Sequence, residues 1–181
     1  SYLNGNIVWF ENDGNPANDS AWDAHVIATG LGELQSLRGA DFDGDGDSDL
    51  FVTERVNGKV LWFENSGRPA VEKWPSHVID DEAWSAAHGE PCDLDGDGDL
   101  DVVLAMGFSP KVDERTVHQI VWYENTGELQ NDELWPKHRI SVLLQAFEAV
   151  PADLDSDGDL DIVATGWGTP GRLVWCENPG D

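Results

Sequence analysis

Positive charge is scarce in this sequence. Across 181 residues, ten Lys and Arg stand against 36 Asp and Glu, a formal net charge of −26. Such a surface repels phosphate backbones and anionic lipid, so neither nucleic acid nor a membrane surface is expected as a partner unless a cation intervenes. Long apolar runs are missing as well. None approaches the ~20 residues that span a bilayer as a helix, and no membrane insertion is expected. The only cysteines, Cys92 and Cys176, are too few for a disulfide framework and read as core substitutions. No stretch keeps a helical period. The chain begins at Ser1 with neither an initiator Met nor a signal peptide, so compartment has to be inferred indirectly.

What is present is a repeat. High net charge with modest hydrophobicity often means disorder, but nine tryptophans and regularly placed Val/Ile/Leu runs argue for one folded domain over 1–181. Residues 41–49 read DFDGDGDSD, 93–101 read DLDGDGDLD and 153–161 read DLDSDGDLD, starting 52 and 60 residues apart. A second signature, Trp-x-Glu-Asn, begins at Trp9, Trp62, Trp122 and Trp175, spaced 53, 60 and 53. A third, Trp-x-x-His-x-Ile, joins Trp22, His25 and Ile27, then Trp74, His77 and Ile79, then Trp135, His138 and Ile140. Three independent signatures keep one period, which excludes chance.

Between the signatures lie runs of four to six β-branched and aromatic residues, separated by Gly, Asp, Asn and Pro, the pattern of strands and turns. Each unit reads as four antiparallel strands, A to D, with the Asp loop joining A to B. Four-stranded sheets at this spacing predict an all-β fold of β-propeller blades. The units run approximately 1–35 (partial), 36–87, 88–147 and 148–181 (partial), about three and a half blades: C-D, A-B-C-D twice, then A-B-C. Closure then requires further blades in a longer chain or completion by self-association of copies, the two readings favoured over blades that stack without closing.

The Asp loops carry the chemistry. Aspartates alternate at positions 1, 3, 5, 7 and 9 of each nine-residue segment, with Gly46, Gly98 or Gly158 at position 6, where the chain turns tightly. Five carboxylates this close repel one another unless a cation is present. A hard cation such as Ca²⁺ takes six to eight oxygens, and a loop offering one at every second residue can wrap it. By analogy with the EF-hand, Asp41, Asp43, Asp45 and Asp49 offer side chains and Asp47 its carbonyl. The other sets are Asp93, Asp95, Asp97 and Asp101 with Asp99, and Asp153, Asp155, Asp157 and Asp161 with Asp159, giving three Ca²⁺ sites. No helix flanks the loop and no Glu stands at position 12, so this is not an EF-hand. Mg²⁺ prefers a partly hydrated octahedron, and Zn²⁺ wants nitrogen or sulfur ligands that the loops lack.

On these loops and the apolar strands that follow them, the chain resembles the FG-GAP and VCBS repeat families over nearly its whole length. The resemblance implies a calcium-binding propeller, as in integrin α-subunit heads and fungal propeller lectins, in which each ion pins the A–B loop of one blade. It implies no single ligand or reaction.

The repeat also separates scaffold from candidate function. Tryptophans and histidines that recur in phase are expected to pack between blades. Off phase stand Trp84, His88, Trp167 and His118, in or beside the D–A and B–C loops on the face opposite the Asp loops. Arg38, just before the first Asp loop, and Glu148, ahead of the third, add polar groups. Aromatic faces beside Arg, His and Glu suit a carbohydrate or a protein ligand. A catalytic pairing of Glu148 with His88, or of Asp113 and Glu114 with His118, has no spacing that ties it together, and no nucleophile motif is found. The function expected is therefore a non-catalytic, Ca²⁺-binding, lectin-like or cell-adhesion module, extracellular, secreted or on a cell surface. The alternatives are a scaffold or accessory segment of a polysaccharide-degrading enzyme, and an assembly unit that polymerises through exposed strand edges.

Overall fold

A computed structural model describes residues 5–12, 14–15, 22–108, 115–127 and 133–180. The described chain consists of strands and turns. Strands β1 (Ile7–Asn12) and β2 (Trp22–Ala28) form a two-stranded sheet. Strands β3 (Leu34–Ala40), β4 (Asp49–Glu54), β5 (Lys59–Phe63) and β6 (Ser76–Asp80) form a four-stranded one, in that order. Strands β7 (Ala86–Cys92), β8 (Asp101–Met106), β9 (Gln119–Tyr123) and β10 (Lys137–Ser141) form a second. Strands β11 (Ala146–Ala152), β12 (Asp161–Gly166) and β13 (Arg172–Cys176) make a three-stranded sheet. All pairings are antiparallel between sequence neighbours. The expected strand order therefore holds, and the sheets do not close on one another.

The B strands explain why their sequences are apolar without alternation. A strand sandwiched between two neighbouring sheets buries both faces. Phe51 of β4 and Val60 and Trp62 of β5 pack toward the next blade with Val102, Leu104 and Met106 of β8. Val52, Leu61 and Phe63, one residue out of step, pack toward the first blade with Ile7 and Trp74. Val103 and Ala105 of β8 turn to the following blade, against Ala146, Ala149, Ile162 and Ala164. Every core is thus an inter-blade core.

The in-phase tryptophans follow this rule where a blade lies on both sides. Trp62 and Trp74 are buried, and Trp135 meets Phe42 of the preceding blade at 6.1 Å, edge to face. Trp22 and Trp175 depart from the expected inter-blade packing, being 40% and 51% exposed. Their strands lie at the outer sheets, where only one side is covered. Cys92 is buried and Cys176 partly buried, both as free thiols in the third core. Burial, with Asp101, Asp93 and Glu90 nearby, pushes the Cys92 thiol up to about 12.

Candidate metal centres and the opposite loop face

Each acidic loop leaves an A strand and enters a B strand, so all three lie at the same end of their blades. The loops are built from aspartate carboxylates that accept backbone N–H groups, the Asx-turn habit of this residue. In the first, Asp41 Oδ1 accepts from Gly44 N (2.9 Å) and Oδ2 from Gly46 N (3.0 Å). Asp43 accepts from Asp45 N, and Asp45 from Asp47 N. The second and third loops repeat the scheme: Asp93 accepts from Gly98 N, Asp95 from Asp97 N, and Asp155 from Asp157 N. Position 6 has φ of 95°, 100° and 104° at Gly46, Gly98 and Gly158, the left-handed turn that glycine allows.

Position 9 anchors the loop. Asp49, Asp101 and Asp161 are buried, with Oδ1 accepting from the backbone of Asn65, Asn125 and Asn178, each at 2.8 Å. Oδ2 of each accepts from the backbone of position 2, Phe42, Leu94 or Leu154. Burial, opposed by these bonds and reinforced by neighbouring aspartates, pushes Asp49 and Asp101 up to about 6. Burial likewise heads the causes that raise Asp43 and Asp95.

Position 7 behaves differently. The carboxylates of Asp47, Asp99 and Asp159 lie against Gly67, Gly127 and Gly180, at 2.5, 2.9 and 2.1 Å from where a Cβ on each glycine would stand. Their side chains thus face the turn after Trp-x-Glu-Asn.

The donor set fits a hard cation. Carboxylate oxygens of Asp41, Asp43 and Asp45, of Asp93, Asp95 and Asp101, and of Asp153, Asp155 and Asp157 lie within 4.8 Å of one another. Between them these groups use positions 1, 3, 5 and 9. Asp93 Oδ1 is buried with no hydrogen-bond partner, a costly state for a carboxylate oxygen unless something else binds it. The clustered donors are all oxygens, the set preferred by Ca²⁺ rather than Zn²⁺.

The in-phase Glu and His residues are explained next to these loops. His77 stacks on Trp62 across β5 and β6 at 4.3 Å, and its Nε2 lies 3.0 Å from Glu64 Oε2. The same trio recurs as Trp9, His25 and Glu11 and as Trp122, His138 and Glu124. These are cross-strand props for the C–D hairpin.

At the other end of the blades, each B strand runs out into a B–C loop and each A strand begins. Trp167 follows β12 and is 54% exposed, in a T-shaped contact with Phe108 at 5.5 Å. Phe108 follows β8 and meets Phe147 at 5.3 Å, which in turn meets His88 at 4.8 Å. His88 lies within β7 rather than in the loop before it, where the ladder shifts register, and Phe147 occupies the matching irregularity in β11. Bulges of this kind re-aim side chains beside sites. Arg55 lies over the Phe108 ring at 5.2 Å and pairs with Glu33.

Trp84, Arg38 and His118 are already engaged. Trp84 packs against Gly58 and carries the Arg115 guanidinium 4.4 Å from its ring centre. Arg38 bonds Glu90 at 2.6 Å. Glu148 is half-buried on β11. His118 Nδ1 accepts from Gln145 N at 3.2 Å, while Asp113 and Glu114 lie outside the described residues. Sequence reasoning missed Phe108, Phe147, Arg55 and Glu33. Arg55 was within reach, since it and Trp167 both stand six residues after the last aspartate of their loop. The placement of Phe147 depends on a bulge that no periodicity signals.

Four-stranded antiparallel sheets that bury their cores between one another, with a carboxylate loop at the A–B corner, define a repeat protein of the β-propeller type. The sequence matches the FG-GAP-like repeat over residues 41–104 and 93–164. The chain belongs to that repeat family. No curated protein matches it. No helix among the described residues is long and apolar enough to cross a membrane.

Proposed function

We propose that the chain is a Ca²⁺-stabilised propeller module, working outside the cell or on its surface, that recognises a carbohydrate or protein through the face opposite its acidic loops. The observation that carries the metal reading is the buried, unpartnered Asp93 Oδ1 within a converging set of carboxylates. Extracellular location follows from supply, because loops of this kind at the weak end of the Ca²⁺ affinity range fill only near millimolar calcium. Recognition is supported by Trp167, an exposed aromatic ring in T-shaped contact with Phe108, because an exposed aromatic surface suits sugar C–H groups.

The metal is tested by melting the protein with chelator, then with Ca²⁺ or Mg²⁺ restored. A large loss of thermal stability, recovered by Ca²⁺ and poorly by Mg²⁺, is expected. A melting temperature indifferent to chelation overturns the reading. Ligand binding is tested on a glycan array in Ca²⁺, with Trp167→Ala expected to abolish binding without lowering the melting temperature. No binding by the wild type to any glycan removes the carbohydrate and leaves a protein ligand.

A further inference from the structure

The asparagine of Trp-x-Glu-Asn touches two acidic loops at once. Asn125 Nδ2 donates to Leu100 O (3.3 Å), at position 8 of its own loop, and to Phe42 O (3.4 Å), at position 2 of the preceding loop. Asn178 repeats this with Leu160 O (3.3 Å) and Leu94 O (3.5 Å). The backbone N–H of each also holds the position 9 carboxylate of its own loop, Asp101 or Asp161. Phe42 O lies in the peptide between the two aspartates Asp41 and Asp43. Asn65 makes the same bonds to its own loop, through Ser48 O and Asp49 Oδ1, and among the described residues has none to a preceding loop.

We propose that Asn125 and Asn178 couple neighbouring cation loops in series, so that loading one loop raises the affinity of the next. The inference rests on the Ca²⁺ reading above. An ion among Asp41, Asp43 and Asp45 relieves their mutual repulsion and fixes the Phe42 peptide. The fixed carbonyl holds the Asn125 amide, and the Asn125 backbone aims Asp101 into the set formed with Asp93 and Asp95. Ordering done by the first ion is then not charged to the second, which is positive coupling without a change of fold. By linkage the effect runs equally in both directions. Asn125 is 1% exposed, so water does not compete for its bonds.

The test is calorimetric Ca²⁺ titration in a mutant cycle. Asp45→Asn disables the first loop, and the remaining loops are expected to lose at least about fivefold in affinity, the lower end of typical coupling. In an Asn125→Ala background, Asp45→Asn is expected to change nothing further. Asn65→Ala, which lacks the bridge, should weaken the first loop and leave the coupling between the others intact. Asn178→Ala repeats the measurement at the second junction should Asn125→Ala fail to fold. Affinities unchanged by Asp45→Asn, coupling that survives loss of the asparagine, or equal uncoupling by Asn65→Ala each overturn the proposal alone. Absence of any Ca²⁺ binding overturns the metal reading with it.

Discussion

Where the two complete blades meet, Asp80 at the end of β6 accepts from Tyr123 Oη and from Lys137 Nζ of the next blade, both at 2.7 Å. Burial by itself would raise this carboxyl, but the bonds from Lys137, Tyr123 and the backbone of Glu82 outweigh it and hold it below its ordinary value of 3.8. A lowered carboxyl favours folding when ionised. Its contribution is therefore complete above pH 3.8 and is lost as pH falls through the folded value. Urea midpoints measured down through this range should fall for the wild type, and Asp80→Asn should flatten that part of the curve. At neutral pH, Tyr123→Phe is expected to cost about 1–3 kcal/mol, the range for a buried bond to a charged group. Unchanged midpoints would remove the lock. This contact was not legible in the sequence, because its phase equivalents are Ala28 and Ser141 and its partners lie 43 and 57 residues away. The acidic loops are the opposite case. Their carboxylates stand within nine residues of sequence, so alternation alone grouped them.

The acidic loop and the glycine turn that faces it form one unit at the scale of elements. Gly127 has φ of 72°, and a Cβ there would stand 2.9 Å from Asp99 Oδ2. Gly44 has a matching φ of 73° but open space around it. Alanine at either site meets the left-handed penalty of about 1–2 kcal/mol, so Gly44→Ala reports strain and Gly127→Ala reports strain together with displacement of Asp99. Chemical denaturation in excess Ca²⁺ should therefore find Gly127→Ala the less stable of the two, and equal values would separate the glycine turn from the loop. Strand identity and order were legible here, because hydrophobic runs and turn residues are local. The bulges in β3, β7 and β11 were not. They lie where the A strand of one blade meets the next blade, with Ser36 Oγ reaching Gly89 O and Thr53 Oγ1 of β4 donating to Ala87 O, and they hold His88 and Phe147. Pro91 fits the same picture, lying on an edge strand where no ladder donor is needed.

The described residues form a succession of sheets whose cores lie between them, so stability depends on how firmly each blade is held to the next. Any ion that pins the A–B corners adds to that directly. A loop loaded at 100 times its Kd contributes about 2.7 kcal/mol, and with ~2–4 °C per kcal/mol for a chain of this size each ion should raise the melting temperature by roughly 5–11 °C. A scan across Ca²⁺ concentration should show this rise, and a flat response would contradict it. The net charge of −26 acquires a meaning at this scale, since fifteen of the 36 acids, five in each of three loops, are concentrated in the loops that carry the candidate ion sites, and three carboxylates of each loop cluster there. The sequence by itself determined the repeat, the strand order within each blade and the carboxylate loops, because each depends on residues close together in the chain. Only the tertiary structure decided which tryptophans are covered, which carboxylate oxygen is left without a partner, and which asparagine spans two loops. Those depend on the neighbouring blade, brought alongside by burial of apolar faces that a period can predict without saying which side chains will meet.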